Sequence, residues 1–255
     1  MNQKNSLGLN KCFLDLDDPF KLFEKWFNEA KKNEINDPNA LALGTASKTG
    51  IPSVRMVLLK GFDKNGFVFY TNLNSQKGNE LKDNPNALAL GTANNQGIPS
   101  VRMVLLKGFD KNGFIFYTNL NSQKSKEIKE NPNASMCFHW KSLLRQIRIV
   151  GTLKQVDDKT ADEYYNSRAY ESRIGAWASK QSTILSNRDE LIKKIEDYKN
   201  KYSDEKNVPR PRHWSGWNLK PSSIEFWLDG DNRIHERLKF TIDRNNIWSK
   251  NILSP

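Results

Sequence analysis

The sequence predicts a mainly β chain with flanking helices, an α+β class, and three observations predict it. A strand-rich unit is carried twice: residues 51–77 read IPSVRMVLLKGFDKNGFVFYTNLNSQK, and residues 98–124 repeat them 47 positions later with only Val68 against Ile115 differing. Further strand patterns follow the second copy to the C-terminus. The helical patterns are few and amphipathic. Two near-identical copies followed by a non-repeating remainder are expected to form one domain, residues 1–255, containing a tandem duplicate at 38–84 and 85–131, because repeat arrays need several stacked units.

Each element has a local reason. Asp17, Asp18 and Pro19 form a helix start, and Phe20, Phe23, Phe27 and Ala30 then share one face with Trp26 beside them. Such an aromatic stripe is packing rather than a cofactor box. Within each copy, PNALALGTA is a short apolar strand ending near Gly. VRMVLLK is apolar on both faces, the mark of a buried strand. Asn112-Gly113 is the hairpin signal, and GFIFYTN is an aromatic-rich strand. Ser122 is the expected N-cap of the helix QKSKEIKEN. Free N–H groups at that helix start, with Lys124 beside them, form a weak phosphate signal.

Beyond the copies, residues 135–140 and 146–156 read as strands, and 159–170 as a helix on which Tyr164 and Arg168, four apart, share a face. That pair is either a surface contact or a phenol and guanidinium offered to an anion. Residues 173–182 are a loop or short helix. Asn187 with Glu190 opens a helix to about Tyr202, with Leu191, Ile195, Tyr198 and Tyr202 as its core stripe. Residues 206–217 are a proline-rich connector, and 224–227, 233–240 and 246–253 are strands. In the stretch RIHER, period two places Arg233, His235 and Arg237 on one face, either a solvated edge or an anionic-ligand wall. Arg102 and Lys107 are five apart, so a regular strand points them oppositely unless it ends or bulges between them.

Composition sets the bounds. Net charge is +11 and pI about 9.5, which favours an anionic partner or a lysine-rich solvated surface. No zinc-finger or basic-helix pattern points to nucleic acid. Mean hydropathy is −0.74, with no run of membrane-span length and no apolar leader. Two isolated cysteines, Cys12 and Cys137, suggest no disulfide framework and no metal site, and fit a cytoplasmic protein.

The ordered series RMVLLK, FYTN, NSQK, LLRQIRIVG, SRIGAWASKQS, FWLDG and RIHER resembles the pyridoxine/pyridoxamine 5′-phosphate oxidase family, over nearly the whole chain apart from one copy of the repeat. The resemblance implies an FMN-binding split β-barrel and a homodimer with FMN at the subunit interface. It implies flavin contacts from Arg102, Met103, Val104, Leu105, Leu106, Lys107, Tyr117, Thr118, Gln123, Lys124, Gln146, Gln181, Ser182, Trp227 and Arg237, the later ones reaching across the dimer. Gln123 stands where the family usually has Arg, which removes one cation. Lys107, Tyr164, Arg168, Ser172, Arg233, Ile234 and His235 match substrate positions, with Arg233 and His235 expected to act catalytically. The implied activity is that of a pyridoxal 5′-phosphate synthase: O2-dependent oxidation of pyridoxamine and pyridoxine 5′-phosphates, releasing H2O2. The second copy, continuous with the later strands, is expected to fill the barrel. A different split-barrel flavin oxidoreductase, or a flavin- or pyridoxal-phosphate-binding module without turnover, is the competing expectation. Nucleic-acid and membrane partners are not expected.

Overall fold

A computed structural model describes residues 19–33, 38–46, 52–63, 66–69, 85–140, 143–230, 232 and 234–255. The first helix, α1 (Pro19–Asn33), leads into the first copy, which forms β1 (Ala40–Ala46), β2 (Pro52–Asp63) and β3 (Gly66–Phe69) as a three-stranded sheet. The second copy forms β4 (Ala87–Ala93), β5 (Pro99–Leu105), β6 (Gly108–Asp110), β7 (Gly113–Asn119) and α2 (Gln123–Glu130). Then come β8 (Asn133–Trp140), β9 (Arg145–Gln155), α3 (Asp158–Asn166), α4 (Tyr170–Ala178), α5 (Arg188–Lys201), β10 (Trp214–Leu228), β11 (Glu236–Ile242) and β12 (Trp248–Leu253).

The second copy, as expected, joins the large sheet. Nine strands run β12-β11-β10-β9-β8-β4-β5, with β7 paired to β10 and β6. The long β10 makes this possible: Trp214–Leu219 pairs with β7, and Ser223–Leu228 pairs with β11, while β9 runs along its other edge. No ladder joins β5 to β7, so the barrel is split between them. Period-two alternation sends Leu88, Leu90, Met136 and Ile149 to one face, where they pack with Phe116, Leu153, Trp217 and Leu219 into the main core. The opposite face carries Ala89, Gly91, Ser135 and Cys137 in register across β4 and β8. The first copy's β2 lies on that face: Val54 is fully buried against Ala89 and Cys137, and its amide donates to Ser135 Oγ at 3.4 Å.

The two copies begin alike and then diverge. Their first two strands pair in the same register, Ala40↔Leu58 in one and Ala87↔Leu105 in the other. The amides of Leu59 and Leu106 donate to the carbonyls of Asn39 and Asn86, each at 2.8 Å. In the first copy β2 continues to Asp63 through a bulge after Leu59. In the second copy the strand ends at Leu105, because the Lys107 amide turns to the Ile115 carbonyl of β7 at 2.8 Å. That strand end answers the five-residue spacing of Arg102 and Lys107.

Several expectations shift. The hairpin turn lies one residue early, over Lys111-Asn112: the Asp110 carboxylate accepts the Asn112 amide at 2.7 Å, and Gly113 starts β7 at φ 144°. The helix expected over 159–170 breaks after Asn166, so Arg168 follows the helix end and its amide donates to the Tyr165 carbonyl. Of the loop or short helix expected over 173–182, the structure takes the helix, over 170–178. The α5 cap holds, with Asn187 Oδ1 accepting the Glu190 amide at 3.0 Å, but no residue of α5 is fully buried. Instead Tyr198 and Tyr202 pack on Trp177. Strand β10 starts inside the expected connector, at Trp214.

Candidate active site

The split between β5 and β7 opens a cleft of about 490 Å³. Strand alternation explains its first wall. Val104 and Leu106 turn to the core, while Met103 and Leu105, 61% and 40% exposed, face the cleft with Lys107 just past the strand end. Tyr117 and Thr118 of β7 form the other wall.

The cation Lys124, one residue into α2, is 8% exposed. Its ammonium donates to Thr118 Oγ1 at 3.0 Å, Gln181 Oε1 at 3.1 Å and Ser122 Oγ at 3.3 Å. Thr118 Oγ1 also donates to Gln181 Oε1 at 3.2 Å. Ser122 is the N-cap residue, yet its side chain makes no capping bond and is turned to the lysine. Burial, reinforced by the Arg102 charge and opposed by Glu127, lowers the Lys124 pKa to about 8. All of its partners are neutral oxygens, so this ammonium is held beside the cleft with no counter-charge in direct contact.

At the other end, Tyr164 stacks on Tyr117 with ring centroids 4.0 Å apart, and Trp214 lies behind both. The Arg168 guanidinium sits 4.8 Å from the Trp214 ring. Its Nη1 is buried with no hydrogen-bond partner among the described residues. Burial lowers the Arg168 pKa, and Tyr164 and Tyr165 partly counter this. Lys107 Nζ lies 5.9 Å from the Tyr164 ring, and Ser172 and Ala169 complete this end. Arg210 holds the aromatic wall in place: it pairs with Asp158 at 2.7 Å and Asp162 at 2.5 Å on α3, and donates to the Trp214 carbonyl at 2.9 Å.

Of the sequence-derived site residues, the cleft therefore brings together Met103, Val104, Leu105, Lys107, Tyr117, Thr118, Lys124, Gln181, Tyr164, Arg168 and Ser172. Leu106 is core-facing. Arg102 turns inward to Glu127, 3.1 Å away, and Gln123 donates to the same carboxylate at 3.0 Å. Burial alone would raise the Glu127 pKa, but hydrogen bonds from Ser100, Thr92 and Gln123 and the Arg102 charge bring it below the ordinary value. Ser182 is exposed with φ 67° and stands outside the cleft.

The remaining residues form a second group on the sheet. Gln146, Trp227 and Arg237 face one another across β9, β10 and β11. Arg237 pairs with Glu225 at 2.8 Å and Arg148 with the same carboxylate at 3.3 Å, so this cationic strand is balanced by a carboxylate of the chain itself. His235 precedes β11, so period two does not align it with Arg237. Its ring lies 4.6 Å from Trp227, with Nδ1 3.0 Å from Asp229 Oδ1. Ile234 is 69% exposed, and Arg233 lies outside the described residues. The cleft also uses Trp214, which sequence reasoning placed in a connector; the alternation of Trp217 and Leu219 with Asn218 and Lys220 was the available strand signal. Glu127 was missed too, although it lies one helical turn after Gln123.

Among the described residues no helix is long and apolar enough to cross a membrane, and no cluster of three metal-ligating side chains occurs. The family model described as pyridoxamine 5′-phosphate oxidase matches twice, over residues 27–90 and 84–202. The double match mirrors the duplication. The model described as the pyridoxine 5′-phosphate oxidase C-terminal dimerisation region matches 214–255. A pyridoxine/pyridoxamine 5′-phosphate oxidase of Pelagibacter ubique is 59% identical over 255 residues, covering 100% of each chain. One of Allorhizobium ampelinum is 46% identical over 228 residues, covering 89% of this chain and 87% of its own. Among solved structures, PhzG from Burkholderia lata, in complex with tetrahydrophenazine-1-carboxylic acid, aligns with a TM-score of 0.63 at 31% identity, over 67% of this chain and 83% of its own. An FMN-binding protein of Nostoc punctiforme related to pyridoxamine 5′-phosphate oxidase shares the fold at a TM-score of 0.57 and 18% identity, over 69% and 92%. The split barrel, its two-ended cationic cleft and these full-length matches agree: the chain belongs to the pyridoxamine 5′-phosphate oxidase family.

Proposed function

We propose that the cleft binds FMN and a phosphorylated B6 vitamer, and that the protein is a pyridoxal 5′-phosphate synthase. Pyridoxamine 5′-phosphate, O2 and water would give pyridoxal 5′-phosphate, ammonia and H2O2; pyridoxine 5′-phosphate and O2 would give the same aldehyde and H2O2. One observation carries this reading. A single aromatic-walled cleft holds two under-neutralised cations, Lys124 at one end and Arg168 with its orphaned Nη1 at the other, as two phosphate monoesters require.

The residues fit FMN. Lys124 and the first turn of α2 would hold its phosphate, with Thr118 and Gln181 orienting the ammonium. Met103 and Leu105 would flank the ring system with apolar surface, with Val104 between them on the same strand. When bound, FMN supplies the acceptor for a hydride equivalent from the substrate C4′ carbon and passes the electrons to O2. Arg168 would pair with the substrate phosphate, Ser172 would donate to it, and the Tyr117–Tyr164–Trp214 stack would exclude water beside it. The match to a C-terminal dimerisation region supports a homodimer. We place Gln146, Trp227, Arg237, Arg233 and His235 at the cleft of the partner subunit, where Arg233 and His235 would position the reacting carbon. A cytoplasmic setting fits the free, buried Cys137.

The deciding experiment is the visible spectrum of the purified protein before and after anaerobic pyridoxamine 5′-phosphate. A flavin band that bleaches, and returns with air as pyridoxal phosphate forms, is expected. A flavin band that persists would leave a binding module or a different flavoenzyme. A protein that stays colourless after added FMN would overturn the cofactor assignment.

A further inference from the structure

The turn between β10 and β11 buries a carboxylate against an imidazole. Asp229 directly follows β10, and its Oδ1 lies 3.0 Å from Nδ1 of His235, with the two side chains 11% and 5% exposed. The backbone fixes that carboxylate. The Asp229 amide donates to the Leu144 carbonyl at 2.9 Å, which ties the turn to the connection between β8 and β9. Gly230 comes next, where a Cβ would lie 2.0 Å from the Ile234 carbonyl oxygen, so the two arms of the turn meet at a distance that only glycine permits. The imidazole also packs on Trp227, with ring centroids 4.6 Å apart. His235 is therefore gripped by an anchored carboxylate and by an indole of the sheet.

The surroundings of Nδ1 decide where the ring proton sits. Nδ1 also lies 3.3 Å from the Gly230 amide, and one ring nitrogen cannot accept from that amide and donate to a carboxylate at once. The carboxylate is nearer and charged, and a charge-assisted bond is roughly twice as strong as a neutral one. The proton therefore stays on Nδ1, which makes Nε2 the acceptor of the neutral imidazole. Without the carboxylate, the Gly230 amide would favour the opposite tautomer, with Nε2 a donor.

We propose that Asp229 is a positioning residue: it fixes the tautomer and ring plane of His235, so that Nε2 is presented as an acceptor to the group on the reacting carbon. That group is an amine in one vitamer and an alcohol in the other, and both can donate. The proposal rests on the reading that places His235 at the partner subunit's cleft. Asp229 itself touches neither substrate nor flavin; it acts through the imidazole.

The test reads the tautomer directly, by nitrogen-15 NMR of the full-length protein at a pH where its three histidines are neutral, with His235→Gln assigning the signals. In the unaltered chain His235 is expected to carry its proton on Nδ1; a ring protonated mainly on Nε2 would overturn the proposal without any variant. Asp229→Asn keeps the shape of the side chain but can donate as well as accept. It is expected to move the His235 proton towards Nε2 and to lower kcat by about tenfold to a hundredfold, the size of a misplaced reacting group. KM for pyridoxamine 5′-phosphate, FMN affinity and the denaturation midpoint should all hold within about twofold or a degree or two. An unchanged tautomer with unchanged kcat would overturn the proposal. So would a loss of kcat accompanied by equal losses of FMN affinity and thermal stability, which would make the pair a fastening of the turn. A tautomer that moves while kcat holds would uphold the Asp229–His235 bond and overturn the placement of His235 at the reacting carbon.

Discussion

Lys124 is where single-residue chemistry is most exposed to test. Its folded pKa of about 8 lies below the ordinary 10.5, so between those values the unfolded chain holds the proton and the folded chain does not. This lysine therefore lowers stability at neutral pH, and stability should rise as pH climbs from about 8 towards 10.5. An anion in the cleft reverses the preference by favouring the ammonium. Flavin phosphate should therefore bind more weakly at pH 9 than at pH 7, with proton uptake on binding, and Lys124→Met should bind weakly with little pH dependence. Titration calorimetry in two buffers of different ionisation enthalpy measures both effects. Arg168 separates substrate from cofactor: Arg168→Ala should raise KM for the phosphorylated vitamer by about tenfold to a hundredfold, the size of a lost charge-assisted hydrogen bond, with flavin affinity unchanged. Steady-state kinetics on FMN-saturated protein checks this. Glu127 is structural by contrast. Its depressed pKa means that its contribution is present above the ordinary carboxylate value of 4.5 and is lost as pH falls through the lower folded value. Glu127→Ala, which strands the Arg102 guanidinium, should cost about 3 kcal/mol or more, read as a lowered denaturation midpoint.

Elements show how one sequence is used in two ways. Phe62 and Phe67 of the first copy pack edge-on against Phe23 of α1, 4.7 and 5.0 Å between ring centroids, with Phe67 still 51% exposed. Their counterparts Phe109 and Phe114 stack on each other, and Phe109 is 71% exposed. Phe23→Ala should therefore destabilise the first copy by about 1–3 kcal/mol, the loss of one half-buried aromatic anchor, and leave flavin binding intact. Early proteolytic cleavage in the first copy, with an unchanged flavin spectrum, is the expected readout. The hairpin into β7 offers a sharper case. Gly113 combines φ 144° with the Leu219 carbonyl carbon 2.9 Å from where a Cβ would sit. Gly113→Ala should thus strain the β7–β10 ladder that carries Tyr117 and Thr118, costing about 1–3 kcal/mol and weakening flavin binding as well. Local pattern predicted most of these elements: the α1 stripe, the strand unit, the Asn187 cap. It missed the early turn at Asp110 and the break after Asn166, because periodicity does not register the short-range bonds that set them: the Asp110 carboxylate accepts the Asn112 amide, and the Arg168 amide turns to the Tyr165 carbonyl.

At the scale of the whole molecule, no described residue of the first copy lines the cleft. Deleting residues 38–84, so that Asp37 joins Pro85, should preserve FMN binding and turnover per bound flavin, while freeing the face that β2 covers. Absorbance and light scattering on the shortened chain would check both. The sequence by itself determined the class, the duplication, the family and the cations Lys124 and Arg168, because strand alternation and ordered motifs are local properties. Continuity with the later strands also pointed to the second copy as the one that enters the nine-stranded sheet, and it does; tertiary structure alone decided where the first copy packs, with β2 against the far face of β4 and β8. It decided that VRMVLLK ends as a strand at Leu105 in one copy and runs on to Asp63 in the other, because only the second meets β7 held against β10. It also turned Arg102 inward to Glu127 and set Trp214 behind the tyrosines. Those choices depend on which distant backbone offers a partner, and spacing along the chain carries no record of that.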